Sequence, residues 1–209
     1  MKRNTLVISA VLFILAVFAW AGWANFEYRK QASERLWASA AKAELIPAES
    51  GGAPQYISPL QGQAAPAFAL EDLNGNKRSS ADYKGKALLI NFWATWCAPC
   101  KIETPWLIEL RNQYAAQGFE IVGVSMDDLD RDDPAKLSAE KQEIAHFVQQ
   151  MKMPYPVLIG GDSVSKPYGG LDDLPTSFFV DRNGIVVDAQ MGLTSKSEIE
   201  AKIKRSLGN

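Results

Sequence analysis

Residues 91–100, "NFWATWCAPC", hold both cysteines of a 209-residue chain. A structural staple is a poor use of that spacing. Closing a ring of four residues removes only about 2 kcal/mol of unfolded-state entropy, against about 4.7 kcal/mol for a hundred-residue loop. A structural zinc site wants four Cys or His ligands, whereas the chain has two Cys and a single His, His146, on a distant segment. Lys101 follows Cys100, so the C-x-x-C-H pattern of haem attachment is absent. Two readings remain. The pair is a dithiol that opens and closes, or it is two soft thiolates that carry copper(I).

The flanking residues place the pair in the fold. "ALLINFW" (87–93) is a short apolar run of the kind that fills a buried central strand. A helix is expected from Ala98 to Gln117, with Gly118 as its stop, followed by a second buried strand in "FEIVGVSM" (119–126). Strand, helix and strand in that order imply a right-handed crossover and a parallel pair. Cys97 then stands at a helix start, where unpaired N–H groups and the positive end of the dipole favour negative charge. A lowered Cys97 pKa follows, making it the attacking thiolate. Pro99 fits the first helical turn, and Cys100, deeper along the helix, is better placed to resolve a mixed disulfide. Glu103, three residues on and on the same face, reads equally as a surface residue or as a half-buried carboxyl that exchanges protons with the thiols.

Further along, "DDLDRDDP" (127–134) packs five Asp into eight residues. It lacks the sixth-position Gly and twelfth-position Glu of a calcium loop, so it reads as a solvated loop in which Asp133 caps the next helix and Pro134 opens it. In that helix Leu137, Ile144, Phe147, Val148 and Met151 share one face, and His146 lies beside the stripe, partly exposed. "YPVLI" (155–159) is a strand, and "TSFFVDRNGIVVDAQM" is a hairpin around Asn183-Gly184, expected as a type I′ turn. "SKSEIEAKIKRSL" closes as a helix with Ser195 and Glu198 forming a capping box. The class is α/β: a mixed central sheet flanked by helices.

At the other end, "MKRN" precedes twenty uncharged residues, "TLVISAVLFILAVFAWAGWA", which as a helix span about 30 Å. Ala19-Trp20-Ala21 has the pattern of a signal-peptide cleavage site, but the apolar run is longer than such peptides carry, which favours a transmembrane anchor over residues 1–24. Lys2 and Arg3 favour an inside N-terminus, against Arg29, Lys30 and Arg35 on the other flank. Residues 25–60 read as a juxtamembrane helix and a Pro/Gly-rich linker, and 61–209 as one domain. With 22 basic against 24 acidic residues, no footprint for nucleic acid is visible.

"FWATWCAPC" with Lys101, Glu103 and Pro105, then "LPTSFFVDRNG" (174–184), together with "APAFALEDLNG" and "YKGKALLINFWATWC", resembles the thioredoxin superfamily and within it the membrane-anchored TlpA/ResA-like thiol:disulfide oxidoreductases. The resemblance covers roughly residues 64–209. It implies a thioredoxin-like fold, Cys97 as an exposed nucleophile, Cys100 as the buried resolving thiol and Glu103 as proton donor or acceptor. Pro105 matches a helix-kinking proline, and Pro175 the superfamily's cis-proline, with Leu174 and Trp96 beside it meeting a substrate chain. Asn91 stands where thioredoxin has a buried Asp; it takes no proton, which throws that role onto Glu103. The resemblance further implies a redox disulfide with no cofactor and no resident metal. The implied partners are exported protein disulfides, of the cytochrome c or copper-site maturation type, and a transmembrane thiol electron donor. The implied location is a bacterial inner membrane, with the domain facing the periplasm.

Overall fold

The computed structural model describes Trp20 and residues 56–171 and 173–208. In chain order these form β1 (Ala69–Glu71), β2 (Lys77–Ser79), β3 (Ala87–Trp93), α1 (Ala98–Tyr114), β4 (Phe119–Ser125), α2 (Pro134–Met151), β5 (Val157–Ile159), α3 (Asp162–Ser165), β6 (Thr176–Val180), β7 (Val186–Met191) and α4 (Lys196–Leu207). The expected anchor and juxtamembrane helix lie outside the described residues, Trp20 excepted. Among those described, no helix is long and apolar enough to cross a membrane. Tyr56 and Leu60, read from composition as linker, pack on the core, and Ser58 is buried.

The main sheet has the order β5-β4-β3-β6-β7, with β1 and β2 a separate antiparallel pair. β3 runs parallel to β4 and β4 to β5, whereas β3–β6 and β6–β7 are antiparallel, so the sheet is mixed as expected. Every residue of β3 is buried, because both sheet faces are covered. Alternation sends Leu89 and Trp93 into a layer with Leu107, Leu110, Ile144, Phe147, Ile199 and Ile203, which come from α1, α2 and α4. Leu88, Ile90 and Phe92 enter the opposite layer with Phe68, Val122, Leu158, Tyr168 and Phe178.

Helix ends follow the sequence closely. α1 runs to Tyr114, a 3-10 turn continues to Gln117, and Gly118 ends it at φ 80°. Asp133 caps α2 through the N–H groups of Ala135 and Lys136, and the Ser195 hydroxyl accepts the Glu198 N–H at the start of α4. The β6–β7 turn differs from the expected type I′: only Gly184 has positive φ. The loop is longer because Asp181 Oδ1 accepts the N–H groups of both Asn183 and Ile185, organising the five residues between the strands.

α4 is tied to β7 by buried charge. Asp188 Oδ1 lies 3.1 Å from Lys202 Nζ, and Asp188 Oδ2 accepts from Arg205 Nε at 3.0 Å. Lys202 also donates to the Ala189 carbonyl and to Gln190 Oε1. Removing the carboxylate leaves a buried ammonium with neutral partners only. Asp188→Ala is therefore expected to lower stability by about 3 kcal/mol, read from urea unfolding with an unchanged m-value.

Candidate active site

Cys97 and Cys100 form a disulfide, with Cα atoms 5.3 Å apart. Cys97 is the N-cap of α1 in extended conformation, and its Sγ accepts the Cys100 N–H at 3.2 Å. A sulfur held on the free donors of a helix start is where added negative charge is best tolerated. The cysteines are less open than the expected exposed nucleophile. Cys97 is 4% exposed and Cys100 1%. The Cys97 sulfur lies against the first turn of α1, bonded to Cys100 and accepting its N–H.

Cys97 nonetheless lines a cavity of roughly 420 Å³, whereas Cys100 does not. The other walls are Trp96, Ala98, Pro99, Met126, Leu171, Asp173 and Leu174. Trp96 is 68% exposed, a large apolar surface beside the disulfide. The Leu174–Pro175 peptide bond is cis and Pro175 is buried. Trp96, Cys97 and Leu174 are thus brought together in one cavity. Met126 and Leu171 were not foreseen, since nothing in their local sequence marks them.

Beneath the disulfide lies a polar group inside the apolar layer. Cys100, Glu103, Thr104, Leu107, Leu110 and Tyr114 form the buried face of α1, and Glu103 is 2% exposed, more enclosed than the half-buried position expected. Asn91 shares the sheet face of Leu89 and Trp93, and its Nδ2 donates to Glu103 Oε2 at 3.0 Å and to Ser177 Oγ at 3.0 Å. Ser177 pairs with Asn91 across β3 and β6, which sets their side chains side by side. Burial pushes the Glu103 carboxyl up to about 7, against the opposing effect of the Asn91 hydrogen bond. A carboxyl that titrates near neutrality takes and returns protons at working pH.

Gly123 is the other cross-strand partner of Asn91, on β4. A Cβ there would come 2.9 Å from Trp93 Nε1 and 3.3 Å from Tyr155 Cε2, so glycine is what admits both rings. Trp93 Nε1 and Tyr155 OH are buried without a hydrogen-bond partner. Burial first, and the Glu103 charge second, hold the Tyr155 hydroxyl above the ordinary phenol range. Pro105 supplies no N–H to the Lys101 carbonyl, within the same helix that carries Cys100 and Glu103. His146 is exposed on α2. Among the described residues no group of three or more His, Cys, Asp or Glu could hold a metal ion.

Over residues 61–189 the sequence matches the AhpC/TSA family, with the cysteine pair, Glu103 and the cis-proline loop all inside the match. The chain belongs to the AhpC/TSA family. Within it, similar proteins include the thiol-disulfide oxidoreductase ResA of Bacillus thuringiensis subsp. konkukian, 36% identical over 145 residues that cover 69% of this chain and 77% of that protein. The thioredoxin-like protein YneN of Bacillus subtilis is 35% identical over 145 residues, covering 68% and 78%. Among solved structures, a thiol:disulfide interchange protein of the thioredoxin family from Chlorobium tepidum superposes with a TM-score of 0.60 at 28% identity, over 73% of this chain and all of that one. The thioredoxin-like α/β fold expected from the motifs is therefore present. As an AhpC/TSA-family member of this thioredoxin-like kind, the chain is a thiol–disulfide oxidoreductase.

Proposed function

We propose that the chain reduces disulfides of exported client proteins through Cys97 and Cys100, with Glu103 moving the protons and no cofactor beyond the cysteine pair. The observation that carries this reading is the asymmetry of the pair: Cys97 lines the cavity at a helix start, while Cys100 faces inward one turn from a carboxyl that titrates near 7. In the reducing direction the Cys97 thiolate attacks one sulfur of the client disulfide, and the other client sulfur leaves as a thiolate and takes up a proton. Cys100 then gives its proton to Glu103, and its thiolate attacks the Cys97 sulfur. The mixed disulfide breaks, Cys97–Cys100 closes, and the client departs with both sulfurs reduced. Two electrons pass from the dithiol to the client.

Trp96, Leu174 and Pro175 are the client-binding residues in this reading, the extended client backbone pairing beside Leu174 as an added strand. The apolar N-terminal segment anchors the domain on the periplasmic side of a bacterial inner membrane, where a transmembrane thiol carrier re-reduces it. Clients of the cytochrome c or copper-site maturation type fit the resemblance. The test uses the reduced full chain and a disulfide-bonded peptide: the chain is expected to lose two thiols for every two the peptide gains. A chain that binds copper(I) at the pair yet releases no peptide thiols is a carrier, and the exchange reading fails.

A further inference from the structure

The acidic run 127–134 reads in sequence as a solvated loop, and Asp127 departs from that. Its Oδ1 and Oδ2 accept the Thr95 backbone N–H at 3.0 and 3.2 Å, and Oδ1 also accepts the Thr95 hydroxyl at 2.5 Å. Oδ2 accepts the Ser125 hydroxyl at 2.7 Å. One residue earlier, the Met126 N–H donates to the Trp93 carbonyl at 2.7 Å. The β3–β4 ladder ends at the pair Trp93 and Ser125. Past that point no β3–β4 strand pairing holds the two segments together, and the Asp127 carboxylate takes over. It satisfies a backbone N–H that has run out of ladder and binds the adjoining hydroxyl.

The two segments joined in this way lead into residues that line the Cys97 cavity. Trp96 and Cys97 follow Thr95, and Met126 precedes Asp127. We propose that Asp127 is a positioning residue for thiol–disulfide exchange: it extends the β3–β4 pairing beyond the strand ends and fixes the Trp96–Cys97 wall against the Met126 wall. A polypeptide disulfide seated in that cavity then meets the Cys97 sulfur in line. This rests on the reading that Cys97 is the attacking sulfur. The choice of Asp follows from its neighbours: Thr95 N–H, Thr95 hydroxyl and Ser125 hydroxyl all donate, and a carboxylate has two oxygens to receive them, whereas Asn offers one.

The experiment compares the full reduced chain with Asp127→Ala, Asp127→Asn, Thr95→Val and Asp127→Ala/Thr95→Val. Two second-order rate constants are measured for each: with a disulfide-bonded peptide, and with bis(2-hydroxyethyl) disulfide, which needs only the sulfur and not the walls. Asp127→Ala is expected to slow the peptide reaction about tenfold or more while leaving the small disulfide within about threefold. Asp127→Asn falls between. Thr95→Val, which keeps the backbone N–H, gives a smaller loss that disappears in the Asp127→Ala background, because the two act as one unit. Equal losses with both disulfides, no loss with the peptide, or additive effects of the two substitutions overturn the positioning role. A wild-type chain inert toward both disulfides removes the exchange reading, and the positioning role with it.

Discussion

Glu103→Gln is expected to slow the resolution of mixed disulfides by about a hundredfold at neutral pH, the size of effect a positioned proton acceptor supplies. The amide cannot receive the Cys100 proton, while the Asn91 Nδ2 donor still finds an acceptor oxygen, so the packing between β3 and α1 is kept. The wild-type rate of this step should rise with pH through an inflection near 7, where the carboxyl loses its proton, and the variant should lack that inflection. Stability carries the same signature with a definite sign. The folded protein keeps the Glu103 proton up to about pH 7, whereas the unfolded chain releases it near the ordinary value of 4.5. The folded state therefore binds more protons between those values, and stability falls as pH rises through them. The total is about 3 kcal/mol, fully lost above the folded pKa. Urea unfolding of the oxidised protein at a series of pH values checks this. The variant curve should be flatter between pH 4.5 and 7 than the wild type by that amount.

Cys97→Ser is expected to abolish exchange altogether, with no reaction toward peptide or small disulfides, since Cys100 is 1% exposed and does not line the cavity. The reduced wild-type chain should accordingly be alkylated first at Cys97, and peptide mapping after brief treatment checks the order. The helix start on which the Cys97 sulfur sits, with the Cys100 N–H donating to it, is the physical cause of the preference. A Cys97→Ser chain that accumulates a mixed disulfide with a client through Cys100 would show that the assignment of nucleophile and resolving thiol is reversed.

The fold was legible where local pattern and tertiary role agree. The apolar run of β3, the 17 residues of α1 and the stop at Gly118 carry their signals within a few residues of themselves. The cysteines, Trp96, Leu174 and Pro175 were legible through motif. What stayed hidden depends on partners distant in sequence. Ser177 is one polar residue in a buried strand, and it gains meaning only when β6 pairs with β3 and sets it beside Asn91. Tyr155 was read as part of a strand, although the strand begins at Val157 and the ring turns toward Trp93. Asp127 was masked by its own neighbourhood: five Asp in eight residues read as solvated charge, while the groups it serves include Thr95, 32 positions earlier. Burial of Glu103 was underestimated for a related reason, because only the packed sheet shows how completely Asn91 and its surroundings close over it.

Attack by Cys97 with resolution by Cys100 is tested most simply by the product that Cys100→Ser forms with a disulfide-bonded client. Without the resolving thiol, the attack by Cys97 has no second step, and a covalent complex joined through Cys97 should accumulate, one client per chain, visible by intact-mass spectrometry and lost on treatment with dithiothreitol. That complex is expected for Cys100→Ser and none for Cys97→Ser. A Cys100→Ser chain that stays free of client under conditions where wild type reduces it would contradict the mechanism.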